Sequence, residues 1–125
     1  MLKSIFVAAV SAVAVAATPV SAQVAASSLV GSYVVNGTEA DGKPYDGPGT
    51  LDVAVARSGA LEFRWDGGKY VGVGQLTGNV LAVASSAEGR AVILLMTVNP
   101  DGTLSGKWWR RTDPGTGGTE TWKRK

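Results

Sequence analysis

The sequence predicts an all-β protein, an eight-stranded antiparallel up-and-down barrel that follows a cleaved signal peptide. Short runs rich in β-branched and aromatic residues recur along the 125-residue chain. Gly-containing turn sequences, four of them Asp-Gly pairs, separate these runs. No segment after the signal has a helical period. The alternative is a two-sheet β-sandwich, but every connection except the first is short, which favours the barrel.

Residues 1–22 have the pattern of an export signal. Lys3 gives the positive start, residues 5–17 are apolar and uncharged, and Val20-Ser21-Ala22 is a small-residue cleavage pattern. The apolar stretch is shorter than the roughly 20 residues that span a bilayer. We therefore expect cleavage, no stable membrane insertion afterwards, and a periplasmic or secreted product. Removing Lys3 leaves eleven basic against ten acidic residues, so charge gives little information about partners.

We expect residues 23–28 to form a flexible leader and residues 29–125 to form a single barrel domain. The clearest element is the hairpin at residues 70–83, where the turn Thr77-Gly78-Asn79 joins two strands. The pair Asn36-Gly37 is expected to bend or end the first strand. The other predicted strands cover residues 29–35, 50–57, 61–66, 91–98, 103–111 and 119–123.

Residues 38–49 are predicted to form the longest loop, because their density of Gly, Pro and Asp is incompatible with a central strand. Long loops on rigid barrels often carry recognition, so Tyr45 and Asp46 are candidate ligand contacts. No run of alternating oxygen ligands lies between Asp41 and Asp46, and we expect no metal site there. The Asp-Gly pairs are interpreted as turns.

Alternation of apolar residues predicts a barrel interior filled with side chains, which disfavours an internal ligand. The inward set is Leu51, Val53, Phe63, Trp65, Val92, Leu94 and Met96. Gly72 and Gly74 share one face of their strand and are expected to let it bend. Residues 91–98 are apolar on both faces, so we expect their outer face to be covered.

Trp108 and Trp109 are adjacent, so a strand must direct them to opposite faces. With Trp108 inward, the residues Lys107, Trp109 and Arg111 form an outward row, which Lys123 of the neighbouring strand is expected to join. An aromatic ring framed by cations suits a sugar ring or an anionic polymer. The alternative is that Trp109 packs under the leader or against a second subunit.

Glu120 lies in the last predicted strand and faces inward if Trp122 does. A buried charge needs a partner. We expect an ion pair with Arg64 or Arg110, and the alternative is a carboxylate that orients a ligand.

The chain contains no Cys and no His. This composition excludes thiol catalysis, the usual zinc sites and His-based triads, so we expect no enzyme, no cofactor and no metal. The basic tail Lys123-Arg124-Lys125 is too short for strong nucleic-acid binding, and an exported protein seldom meets nucleic acid.

Several motifs resemble those of small exported bacterial β-proteins that are described as hypothetical or fibronectin-binding-like. They include Gly31-Ser32-Tyr33, Asn36-Gly37-Thr38, Tyr70-Val71-Gly72-Val73-Gly74, Asp101-Gly102-Thr103 and Gly118-Thr119-Glu120. The opening Gly31-Ser32-Tyr33 is also similar to the Gly-x-aromatic start of the calycin barrels, the avidin-like and lipocalin-like proteins. The resemblance implies a shared barrel fold.

Together these patterns predict a non-enzymatic exported binding protein. Its expected partner is a glycan, an envelope polymer or an extracellular matrix protein, bound through the outer aromatic and basic face. The alternative is a barrel that carries a small apolar ligand.

Overall fold

The computed structural model describes residues 24–113 and 115–125, and the predicted signal peptide lies outside this part. No helix in the described part is long and apolar enough to cross a membrane. Its helical segments are two short 3-10 helices, Ala26–Leu29 and Asp66–Gly68. The eight strands are β1 (Gly31–Thr38), β2 (Gly49–Val55), β3 (Leu61–Trp65), β4 (Tyr70–Thr77), β5 (Val80–Ala87), β6 (Arg90–Val98), β7 (Leu104–Arg110) and β8 (Gly118–Arg124).

The strands form a closed antiparallel barrel in sequence order, which confirms the predicted up-and-down barrel over the sandwich. Closure comes from β8, which pairs with β1 from Tyr33 opposite Arg124 to Thr38 opposite Thr119. The pair Asn36-Gly37 does not end β1, because β8 continues the ladder opposite it. Likewise β5 extends beyond the predicted residue 83 to Ala87, since β4 and β6 pair with its serines on both sides.

The core consists of the inward side chains of all eight strands, with aromatic rings as its largest members. Trp122 contacts three other rings, those of Tyr33, Phe63 and Trp65, at centroid distances of 6.3, 5.9 and 6.2 Å. Tilted and edge-on pairs at this spacing are favourable beyond the apolar area they bury. This aromatic cluster fixes the inner faces of β1, β3 and β8 relative to one another.

The strand glycines of β4 make space for the rings of β3. Gly72 lies opposite Phe63 in the ladder, and Gly74 lies opposite Leu61. A Cβ atom at Gly72 would be 3.1 Å from the Trp65 ring, and one at Gly74 would be 3.0 Å from the Phe63 ring. We therefore attribute these glycines to close approach of aromatic side chains, where the sequence suggested strand bending.

One end of the barrel is closed by the first 3-10 helix. Leu29 is 4% exposed, and its carbonyl accepts a hydrogen bond of 2.7 Å from the Tyr33 hydroxyl. The Arg124 guanidinium lies 5.0 Å from the centroid of the Tyr33 ring and donates to the carbonyls of Val30 and Ser28. Residues 26–28 of the predicted flexible leader thus belong to this helix.

The opposite end, which we call the mouth, is formed by the connections at residues 39–48, 66–69, 88–89 and 111–117. Among the described residues of these connections, the three-residue turn Asp66–Gly68 is the only helical segment. In the part of the chain that the structure describes, the barrel therefore has one closed end and one open end.

Candidate ligand-binding site

The mouth contains a cavity of about 420 Å³. Four aromatic side chains contribute to its wall, and small residues such as Gly49, Ser85 and Ala87 leave the space between them. The prediction of an interior filled throughout is wrong at this end, because Trp65, Val92 and Leu94 line the cavity. The aromatic lining residues are Tyr45, Trp65, Tyr70 and Trp108, and the charged ones are Glu39, Asp46, Asp66, Glu120, Lys69 and Arg110.

Glu120 is the buried polar group of this site, with 9% of its surface exposed. Its Oε1 accepts hydrogen bonds from the indole nitrogens of Trp122 at 2.8 Å and Trp65 at 3.3 Å. Its Oε2 accepts one from the Tyr45 hydroxyl at 3.1 Å. Burial raises the pKa of Glu120, although the three donors oppose the rise.

The predicted ion pair of Glu120 does not form. Arg64 is on the outer face of β3 and pairs with Glu62 at 3.2 Å. Arg110 pairs instead with Asp113, at 3.7 Å. Within residues 24–113 and 115–125, the carboxylate of Glu120 is bound by neutral donors and by no cation.

Arg110 is fixed by its neighbours at the edge of the cavity. Its guanidinium lies 5.2 Å from the centroid of the Trp108 ring, an arrangement favourable for cation–π attraction. Asp113 supplies its counter-charge and also pairs with Arg90 at 3.5 Å. One carboxylate thus serves two guanidinium groups, so the positive charge of Arg110 is only partly compensated.

The long loop brings Tyr45 into the mouth. Its backbone N–H donates to the carbonyl of Gly37 at 2.9 Å, and a short hairpin from Glu39 to Lys43 precedes it. A Cβ atom at Gly37 would be 2.6 Å from Cε2 of Tyr45, so only glycine lets the ring lie there. Burial, followed by the charge of Glu120, raises the pKa of Tyr45. Asp46 lies beside it, exposed on the rim of the cavity.

Of the predicted outward row, the structure places Lys107 and Trp109 on the outer face of β7, while Trp108 is inward and 4% exposed. Arg111 is exposed in the turn that follows β7, beyond the strand that was predicted to contain it. The Trp109 ring lies against Gly117 of the next connection, since a Cβ atom there would be 2.7 Å from its Cδ1. Trp109 is consequently half-buried, in contact with this connection.

Lys123 does not join this row. Lys107 pairs with Thr119 of β8, four residues before Lys123. At about 3.3 Å per residue, the two lysines are separated by roughly 13 Å along the strands. Lys123 lies towards the closed end, opposite Val34 of β1.

The outer wall beside this row is apolar. Val73, Ile93 and Leu95 are 49%, 53% and 46% exposed, and the exposed Ala82 and Ala84 lie between them on β5. The sequence led us to expect a cover over β6. No described residue covers it.

Two of the predicted ligand contacts, Tyr45 and Asp46, line the mouth. The rest of the mouth was not predicted as a site, although the sequence contains a signal for it. Inward alternation places Trp65, Trp108, Arg110 and Glu120 near the same end of three strands. Once that end is known to be open, their chemistry is that of a binding pocket, with aromatic faces and one buried acceptor.

The described residues contain no group of three or more carboxylates that could hold a metal ion. The mouth offers hydrogen-bond acceptors, aromatic faces and a few charges, an arrangement that can bind a small molecule. Comparison with protein-family models and with curated proteins gives no match for this chain, so any functional assignment depends on the geometry of the site itself.

Proposed function

We propose that this protein is a non-enzymatic binding protein whose ligand is a small molecule held in the mouth cavity. The observation that carries the proposal is the cavity of about 420 Å³ with a buried carboxylate in its wall. Small-molecule sites are typically concave, about 300 to 1,000 Å³ in volume, and mostly apolar with a few convergent polar groups. Export to the periplasm or medium, inferred from residues 1–22, remains part of this proposal.

The mouth supports binding better than the outer wall does. A ligand there would be surrounded by side chains on several sides, whereas Trp109 offers part of one ring face. The polar groups of the mouth are also preorganised, because Glu120 is held by three hydrogen bonds. Preorganised groups lose little conformational freedom on binding, which favours affinity.

The outer row of Lys107, Trp109 and Arg111 is the second candidate, as a recognition face for a glycan, an envelope polymer or a matrix protein. What supports it is the outward Trp109 ring, with the exposed Lys107 on the same face of β7 and the exposed Arg111 in the turn just beyond the strand.

The four tryptophans allow one experiment to separate the two candidates. Their indole N–H resonances are assigned by single Trp→Phe variants, and the protein is titrated with three probes of similar size: 2-phenylethylamine, 2-phenylethanol and 3-phenylpropionate. A mouth ligand shifts the resonances of Trp65, Trp108 and Trp122 and leaves that of Trp109 in place.

A matched pair of variants on β5 tests the location. Ala87→Phe fills the mouth, while Ala82→Phe adds the same ring to the outer wall of the same strand. We expect Ala87→Phe to abolish the shifts and Ala82→Phe to preserve them. If none of the three probes moves the mouth resonances, or if only Trp109 responds, the mouth is not the binding site.

A further inference from the structure

No described residue forms an ion pair with the mouth carboxylate, and this points to the chemical class of the ligand. Glu120 is 9% exposed, and its hydrogen bonds come from two indoles and one phenol, all neutral. Burying an ionised carboxylate without a counter-charge is costly even when it is hydrogen-bonded. A cation that enters the cavity would remove part of that cost.

One oxygen of the carboxylate has acceptor capacity left. Oε1 already accepts two hydrogen bonds, from Trp65 and Trp122. Oε2 accepts one, from Tyr45. Because each carboxylate oxygen can accept about two hydrogen bonds, Oε2 retains a position for a further donor.

The two cations that line the cavity do not pair with Glu120. Arg110 lies 3.7 Å from Asp113 and stacks on Trp108, and its buried Nε has no hydrogen-bond partner among the described residues. Lys69 is exposed on the rim, with its Nζ 5.4 Å from the centroid of the Tyr70 ring. In the part of the chain that the structure describes, no cation occupies the open position on Glu120.

The wall of the cavity is also suited to a positive charge. Four aromatic residues contribute to it, and the faces of aromatic rings attract cations. Its charged residues are four carboxylates and two cations, so negative charge exceeds positive charge in the lining. This excess of negative charge attracts cations and repels anions.

We infer that the ligand of the mouth cavity carries an amine, whose ammonium group pairs with Oε2 of Glu120 while its apolar part lies against the aromatic wall. The inference depends on the proposed function, since it names the ligand class of the same cavity. A free carboxylate or phosphate would instead add a second negative charge beside Glu120, and a neutral molecule would leave the buried charge uncompensated.

The three probes test the inference separately from the proposed function. In the wild-type protein we expect 2-phenylethylamine to bind at least about tenfold more tightly than 2-phenylethanol and 3-phenylpropionate, measured as Kd from the shifts of the mouth indole resonances. If the alcohol or the carboxylate binds as tightly as the amine, the inference is overturned while the mouth remains a binding site. If no probe binds there, both fail.

A charge-neutral variant assigns the preference to one residue. Glu120→Gln keeps the shape of the side chain and an acceptor for the two indoles, so it is expected to fold. It should lower the affinity for the amine to about that for the alcohol and leave the alcohol unaffected. Glu62→Gln is the matched control, since it removes one negative charge from the outer wall, where Glu62 pairs with Arg64. An amine preference that survives Glu120→Gln, or that is lost equally in Glu62→Gln, contradicts the assignment.

Discussion

The indole nitrogen of Trp122 donates a 2.8 Å hydrogen bond to Oε1 of Glu120, two residues away on the same inner face of β8. Trp122 is also the ring that contacts Tyr33, Phe63 and Trp65 in the core. The Glu120 carboxylate in the mouth is therefore positioned by the packing of the aromatic core. A substitution in the core should be detectable at Glu120, and a substitution of Glu120 should be detectable in the core.

The first prediction concerns the pH dependence of stability. Burial raises the pKa of Glu120 in the folded protein, and the neighbouring charge of Asp66 adds to the rise. Since an unfolded glutamate has a pKa of about 4.3, Glu120 contributes stability that is fully present below that value. This contribution is lost as the pH rises through the raised folded pKa. Glu120→Gln does not titrate, so its stability relative to wild type should increase as the pH is raised from about 4 towards 7.

Urea unfolding of both proteins across this range measures the difference. Glu62→Gln, with the same change of net charge on the outer wall, provides the baseline. A difference between Glu120→Gln and wild type that stays constant with pH would show that the Glu120 pKa is not raised by folding.

The second prediction uses the adjacent indoles. Trp108 is 4% exposed, and its indole nitrogen donates to the Thr38 carbonyl at 3.2 Å. Truncation of a buried Trp to Ala typically costs about 3 to 5 kcal/mol, and we expect this for Trp108→Ala. Trp109→Ala removes a half-buried outward ring and should cost about 1 kcal/mol or less. Equal losses in urea unfolding would contradict the inward and outward assignment.

The third prediction concerns Gly37, which makes room for Tyr45. In Gly37→Ala the added methyl would lie 2.6 Å from Cε2 of Tyr45, and it would also contact the carbonyl of Thr119. We expect a destabilisation of about 1 to 3 kcal/mol and displacement of Tyr45 from Glu120. In a Tyr45→Ala background, where the ring is absent, the same change should cost less. Additive losses in this double-mutant cycle would mean that glycine is required at position 37 by the neighbouring backbone and not by the Tyr45 ring.

The fourth prediction concerns the closed end. Arg124 donates to the carbonyls of Val30 and Ser28 and stacks on Tyr33. Arg124→Ala should release the first 3-10 helix, lower the free energy of unfolding by about 1 to 2 kcal/mol, and speed amide exchange at Ser28 and Val30. Lys123→Ala, one residue earlier on the outer face, is the control. Unchanged exchange in Arg124→Ala would show that Leu29 alone holds the helix.

The fold was predictable because turn sequences and the alternation of apolar and polar residues determine it locally. The turn Thr77-Gly78-Asn79 illustrates this: β4 ends at Thr77, β5 begins at Val80, and Gly78 takes a φ of 62° between them. Strand ends were less predictable. The pair Asn36-Gly37 is typical of a turn, yet pairing with β8 holds it in β1, and no local pattern reveals a partner more than 80 residues away.

The site was only partly predictable, since it depends on the register between strands and on the space left between side chains in the mouth. Alternation correctly separated Trp108 from Trp109, but the offset between β7 and β8 decides that Lys123 is far from Lys107. The charge of Glu120 was recognised as needing a partner. Its partners are two indoles and a phenol. This set is decided by the three-dimensional packing of Trp65, Trp122 and Tyr45.

The hydrogen bonds of Arg124 to Ser28 and Val30 bring the beginning and the end of the described domain together at the closed end of the barrel. A fusion partner, affinity tag or surface linker attached directly before residue 24 or after Lys125 would therefore sit on the far side of the barrel from the mouth. The described domain can thus be immobilised by either end with its cavity facing solution.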